Sequence, residues 1–201
     1  MVYMKKKIKI ISGRKEEIDK DIFYEALKLR YRSYFNEGLI NQNKEKTLVD
    51  ESDDKSYHFI ALDGDKVVGC ISIIEGVRPL QSIFGKEKKE VMKKTSSREA
   101  VEISRFAVDE KYRIGNKKVA NSFGFVSLLL LKEMANCVIK SAIDIILITI
   151  HPKNKERYEK FYGFVQYGKE KNYLRANNNP AILLYLRKSD LIRMIEMSKV
   201  E

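Results

Sequence analysis

Glu102, Ser104 and Arg105 stand in a stretch that is otherwise apolar, VEISRFAV at residues 101–108, followed by the basic turn DEKYR. A carboxylate can take a proton, a hydroxyl can bond a substrate, and a guanidinium can hold a carboxylate in place. The run holds β-branched residues and neither Gly nor Pro, which predicts a buried central strand. An unpaired buried charge is costly, so charges in such a strand need partners. Alternation with period two puts Glu102, Ser104 and Phe106 on one face and Arg105 on the other. Two readings follow. Either a polar pair points into a reaction space with the Arg bracing it from behind, or a structural Glu–Arg pair ties the strand to its neighbours. Ser104 has no His–Asp arrangement near it in sequence, so a Ser nucleophile is a poor match.

The elements that must hold this strand follow from periodicity and punctuation. A short strand is expected over 7–11 and a helix over 16–37, where Ile18, Ile22, Ala26, Leu29 and Ser33 recur at helical spacing and Gly38 follows as a cap. Arg30, Arg32 and Tyr34 cluster near the end of that helix. Residues 41–56 read as a loop carrying Asp50, Asp53 and Asp54, without calcium-loop spacing. Asp63-Gly64-Asp65 joins strands 57–62 and 66–74 in a tight hairpin. Residues 76–100 read as a basic insertion with one short helix. After the central strand, a buried helix is expected over 117–140. Its start behind Gly115 suits an anion but lacks nucleotide-loop spacing. A strand over 144–150 ends at His151-Pro152. A helix over 153–162 stops at Gly163, strands follow over 164–168 and 181–186 around an Asn-Asn-Asn-Pro turn, and a helix closes the chain over 188–197. The order β-α-β-β-β-α-β-α-β-β implies an α+β fold, a mixed and mostly antiparallel sheet flanked by helices, within one domain of residues 1–201.

Composition narrows the class. The chain has 201 residues and a net charge of +11, which favours acidic partners. No helix-turn-helix, zinc-finger or aromatic-plus-basic sheet signature is present, so nucleic acid is not the expected partner. Cys70 and Cys137 are the only cysteines, both in apolar runs. They give no disulfide framework and no metal spacing, as in a reducing cytosol. No transmembrane segment and no signal peptide are read, so a cytoplasmic protein is expected.

At this point the residues resemble a known group. The strand order is that of the GNAT acyltransferase superfamily. Glu102-x-Ser104-Arg105-Phe106-x-Val108 resembles the signature of acyl-homoserine-lactone (autoinducer) synthases and N-acyl amino acid synthases. Asp50-x-x-Asp53, after Arg30 and Tyr34, is similar to the paired acids and helical Arg of the same group. His151-Pro152-Lys153, Tyr158, Gly163-Phe164 and Tyr167-Gly168 resemble the C-terminal half of the N-acyl amino acid synthases, as does Asn179-Pro180-Ala181. The autoinducer synthases' tryptophan after the first helix is absent, and Ser72 stands where they carry an Arg. The acetyl-CoA pyrophosphate motif is not met either.

The resemblance therefore implies an N-acyl amino acid synthase first, an autoinducer synthase using S-adenosylmethionine second, and an acetyl-CoA-dependent N-acetyltransferase third. A non-catalytic acyl-carrier-binding protein of the same fold is the competing class. The acyltransferase resemblance implies aminolysis of a thioester, with Glu102 as base and Tyr158 protonating the leaving thiolate. Arg30, Tyr34, Asp50, Asp53, Ser72, Ser104, Arg105, Phe106 and Val108 would line the substrate site. Backbone N–H groups near Phe106–Val108 would hold the oxyanion. The co-substrate would be acyl-phosphopantetheine on an acyl carrier protein, or acyl-CoA, with no tightly bound cofactor and no metal. Lys111, Arg113, Lys117, Lys118 and Lys153 would receive the acidic carrier.

Overall fold

A computed structural model describes residues 8–75, 83–113 and 124–197. The strands are β1 (Lys9–Gly13), β2 (Ser56–Asp63), β3 (Lys66–Ile74), β4 (Ala100–Val108), β5 (Ile145–Ile150), β6 (Val165–Tyr173) and β7 (Asn179–Arg187). The helices are α1 (Lys20–Asn36), α2 (Gly85–Lys94), α3 (Glu110–Arg113), α4 (Phe125–Lys140), α5 (Lys155–Tyr162) and α6 (Lys188–Met197). The seven strands lie in one sheet in the order β1-β2-β3-β4-β5-β7-β6. β4 and β5 run parallel, whereas the β1–β2, β5–β7 and β6–β7 pairs are antiparallel. The sheet is mixed and flanked by helices, as the α+β reading expects.

Two compact units divide the chain. The first holds Met1–Ser72 with Arg105–Met134, the second Ile73–Ser104 with Ala135–Glu201. In the first, Asp19 caps α1, its carboxylate accepting from the Asp21 and Ile22 N–H groups at 3.0 and 3.1 Å. Such a cap contributes about 1 kcal/mol. Phe23, Ala26, Leu27, Arg30 and Tyr31 then fall on one buried face of α1. Phe23, Ala26 and Leu27 pack with Ile60, Leu62, Val67, Cys70 and Ala107, each large side chain contributing roughly 1.5–3 kcal/mol by burial. Gly64 makes the β2–β3 turn with φ +61, the left-handed conformation that Asp-Gly supplies. Gly69 has a packing role instead. A Cβ there would stand 2.8 Å from Leu130 and 2.9 Å from Val126, so its absence lets α4 lie close to β3.

In the second unit, Phe84, just before α2, and Val91 within it are buried with Ile145 and Leu147 of β5 and Ala181 and Leu183 of β7. Of the basic stretch 76–100, the described residues from 83 on carry one short helix, α2. β6 continues to Tyr173, past the end expected at Gly168. Gly168 has φ +76, and the β6–β7 register shifts between Tyr167 and Lys171 before pairing resumes. The first strand sits at Lys9–Gly13, two residues later than expected. Among the described residues, no helix is long and apolar enough to cross a membrane.

Candidate active site

The first unit carries a buried polar network built from α1, the acidic loop, β2 and β3. Arg30 lies on the core face of α1, because helical spacing leaves it no other side. Its Nη1 donates to Asp53 Oδ1 at 2.6 Å, and its Nη2 donates to Ser72 Oγ and His58 Nδ1, both at 3.2 Å. None of Arg30, Asp53, His58 and Ser72 is more than 2% exposed. The contacts fix the imidazole tautomer. Nδ1 accepts from the guanidinium and the Ser72 hydroxyl (2.9 Å), so Nε2 carries the proton and donates to the Asp53 carbonyl at 2.9 Å. Burial, and then the Arg30 charge, hold the His58 pKa below its ordinary value, so the ring is neutral.

Asp50 and Asp53 divide the work of holding two arginines. Asp53 pairs with Arg30, and Asp50 pairs with Arg105 of β4. The x-x spacing closes a turn in which Asp50 N–H donates to Asp53 Oδ2 at 2.8 Å, and Asp53 N–H donates to the Asp50 carbonyl at 3.0 Å. Burial alone would raise the Asp50 pKa, but Arg105 and the Ser52 hydrogen bonds outweigh it and hold the carboxyl low. Tyr34, half-buried on α1, lies in the field of both arginines. Burial pushes its phenol up, and Arg105 and Arg30 oppose the rise.

Arg105 has φ +56, the left-handed region, inside a strand. For a non-glycine residue this costs on the order of 1–3 kcal/mol, and such strain collects at functional sites. The Cys70 thiol approaches the Arg105 carbonyl at 3.6 Å, and Asp50 holds its guanidinium. The strict alternation expected through β4 therefore breaks at Arg105. Before the break, the described β4–β5 ladder runs from Ala100↔Ile145 to Glu102↔Leu147, while β5 continues to Ile150 paired with β7.

The second unit carries Glu102 and Tyr158. Glu102 is 4% exposed. Lys88 of α2 stands in its field: burial lowers the lysine pKa, and the Glu102 carboxylate works against that fall. Tyr158 is half-buried on α5, its ring edge-on to Phe164 and tilted against Tyr162. Burial raises the neighbouring Tyr162 phenol, and Tyr158 adds to the rise. Ser104 and Phe106 are half-buried and Val108 is buried. His151 caps the turn after β5, its Nδ1 accepting from Lys153 N–H at 3.1 Å.

The basic residues assigned to a carrier differ in fate. Lys111 and Lys153 are exposed. Arg113 is turned into the fold. Its Nε donates to the Val108 carbonyl at 2.7 Å, Nη1 pairs with Glu37 at 3.0 Å, and Nη2 bonds the Ser33 hydroxyl. It thus ties the end of β4 to α1. Lys117 and Lys118 lie outside the described residues. No cluster of His, Cys, Asp and Glu fit for a metal occurs among the described residues.

His58 and Lys88 escaped the sequence reading. The signal for His58 was its place in a strand whose other same-face residues, Ile60 and Leu62, are apolar. The signal for Lys88 was its helical spacing from Phe84 and Val91. The network makes stability depend on pH. With the His58 pKa depressed, the unfolded chain binds a proton near pH 6.5 that the folded chain refuses, so stability falls as the pH drops below 6.5. Asp50, depressed from 3.8, adds a loss of the same sign in stronger acid. Thermal midpoints taken between about pH 7.5 and about pH 5 should decline in the wild type and less steeply in His58→Gln. A flat wild-type profile would contradict the buried neutral ring.

This sheet, with its strained β4 and flanking helices, has the fold of the GNAT-like acyltransferases. The chain belongs to the N-acyl amino acid synthase FeeM family, whose family model matches residues 25–187, and it is accordingly an acyltransferase. Among solved structures, FeeM, an N-acyl amino acid synthase from uncultured soil microbes, is 22% identical. The match covers 94% of this chain and 95% of FeeM with a TM-score of 0.74. The AHL synthase LasI is 19% identical over 91% of each chain, TM-score 0.67. The CoA-dependent acyl-homoserine lactone synthase BjaI is 18% identical over 94% of this chain and 89% of its own, TM-score 0.65. No curated protein sequence matches the chain.

Proposed function

We propose that the chain is a cytoplasmic N-acyltransferase that moves a fatty acyl group from an acyl carrier protein thioester to the amine of an amino acid or related small molecule. The observation that carries this reading is the buried carboxylate of Glu102, inside the Glu-x-Ser-Arg-Phe-x-Val strand of a chain in this family. The substrate amine attacks the thioester carbonyl carbon. Glu102 takes the proton the nitrogen must lose, directly or through one water. Backbone N–H groups at Phe106–Val108 hold the oxyanion of the tetrahedral intermediate. That intermediate collapses with cleavage of the C–S bond, and Tyr158 gives its proton to the departing thiolate. The Asp50–Arg105 and Asp53–Arg30 pairs tie the acidic loop to the second half of β4 and to α1.

The test is mass spectrometry of products from the purified chain, given acyl carrier thioester and a panel of amino acids. An acylated amino acid supports the proposal. An acyl lactone formed from S-adenosylmethionine, transfer only from acetyl-CoA, or no product at all overturns it.

Carrier use is tested separately. The net charge of +11 suits an acidic carrier, and complementary charge acts mainly on encounter. Charge reversal at Lys117 and Lys118 should raise the KM for the carrier thioester and flatten its salt dependence. A short pantetheine thioester should feel it far less. Equal slowing of both donors would assign these lysines to the site or the fold and move docking elsewhere.

A further inference from the structure

We propose that Lys88, on the insertion helix α2, is the acceptor-specificity residue, binding the carboxylate of an amino acid whose amine faces Glu102. The assignment rests on the acyltransfer reading above and deepens it. Five lysines lie on α2. Lys86, Lys89, Lys93 and Lys94 are exposed, and Lys88 alone is half-buried. Helical spacing is the cause. Phe84 stands four residues before Lys88 and Val91 three after, and both are fully buried in the core beneath the helix.

The pose of α2 is fixed from β6. Lys171 Nζ donates to the Ile83 carbonyl at 2.6 Å and pairs with Glu87 at 2.5 Å. A Cβ at Gly168 would lie 3.0 Å from Glu87 Cγ, so the glycine admits this close seat. Lys88 is thereby held over the β4–β5 ladder: Leu147, in the core beneath α2, is the register partner of Glu102, whose buried carboxylate lies in the field of the lysine.

A partly desolvated cation in the field of a buried carboxylate is a poor way to gain stability, since apolar packing does as well or better. It is a good template for a zwitterion. The α-ammonium of an amino acid engages Glu102, and its carboxylate takes the charge of Lys88 through a charge-assisted hydrogen bond. An amine without the carboxylate engages Glu102 and offers Lys88 no charge of its own. Sites built around a polar group reject ligands that lack it.

The experiment pairs amino acids with the amines left by removing their carboxyl group, for example phenylalanine with phenethylamine and leucine with isopentylamine. Binding to the full chain is measured by calorimetry, and transfer by product formation. The wild type should prefer the amino acid by on the order of 10²-fold in both readouts. In Lys88→Gln that ratio should fall toward one, through acceptor KM rather than kcat, and Lys88→Arg should recover part of it. A ratio unchanged in Lys88→Gln overturns the assignment, as does a wild type that binds neither member of any pair or binds both equally. Binding preference without acyl transfer would defeat the acyltransfer reading and leave Lys88 as the carboxylate site.

Discussion

Glu102→Gln should lose roughly 10²–10⁴-fold in turnover while the protein stays folded, the range expected when a general base is removed. The change is close to isosteric, so the core around β4 keeps its volume. What goes is the site that accepts the amine proton. The loss should appear in kcat and kcat/KM together, because proton transfer belongs to the transition state. Tyr158→Phe should have a smaller effect, since a thiol pKa of about 8.5 lets the thiolate depart before it is protonated. A folded Glu102→Gln variant that transfers acyl groups at the wild-type rate would make Glu102 a structural residue and remove the base from the mechanism.

The hairpin, the acidic pair and the closing helix were legible in the sequence because local chemistry sets them. Asp63-Gly64-Asp65 needs only a positive φ to turn, and the helix expected over 188–197 forms as Lys188–Met197. Asp50-x-x-Asp53 closes its own turn with its own backbone. What stayed hidden is set by distant parts of the chain. Nothing in the letters of β4 announces φ +56 at Arg105. That conformation is over-determined by Asp50, 55 positions earlier, and by the approach of Cys70. Charge does not say where the partners of Arg113 lie: Ser33 of α1 and Glu37, just past its end, come from a part of the chain about 80 positions earlier. His58 is a lone polar letter between apolar ones in β2, and only the fold brings Arg30, Asp53 and Ser72 around it. β6 seemed to stop at Gly168 because a glycine marks both a strand end and a bulge within a strand.

Arg30→Met should be the most destabilising single change among these sites, at roughly 3–5 kcal/mol, the range for breaking a buried pair from one side. The Asp53 carboxylate would stay where it is, 2% exposed, with the Asp50 N–H still donating to it but no cation opposite. His58 Nδ1 and Ser72 would lose a donor at the same stroke. In a chain of this size, that should lower the thermal midpoint by about 10 °C. Arg105→Met should cost less. Its side chain and that of Asp50 are 14% and 19% exposed, so water screens the carboxylate left behind. The same change also leaves a left-handed backbone at position 105 with its guanidinium anchor gone, so it should cost more than Glu102→Gln. Because the loss in Arg30→Met comes from the stranded charge, Arg30→Met combined with Asp53→Leu should recover a substantial part of it. Denaturant unfolding of the single and double variants checks the scheme. A midpoint for Arg30→Met within about 2 °C of wild type would mean that Asp53 is relieved by water or protonation, and that the network does not hold the acidic loop against α1.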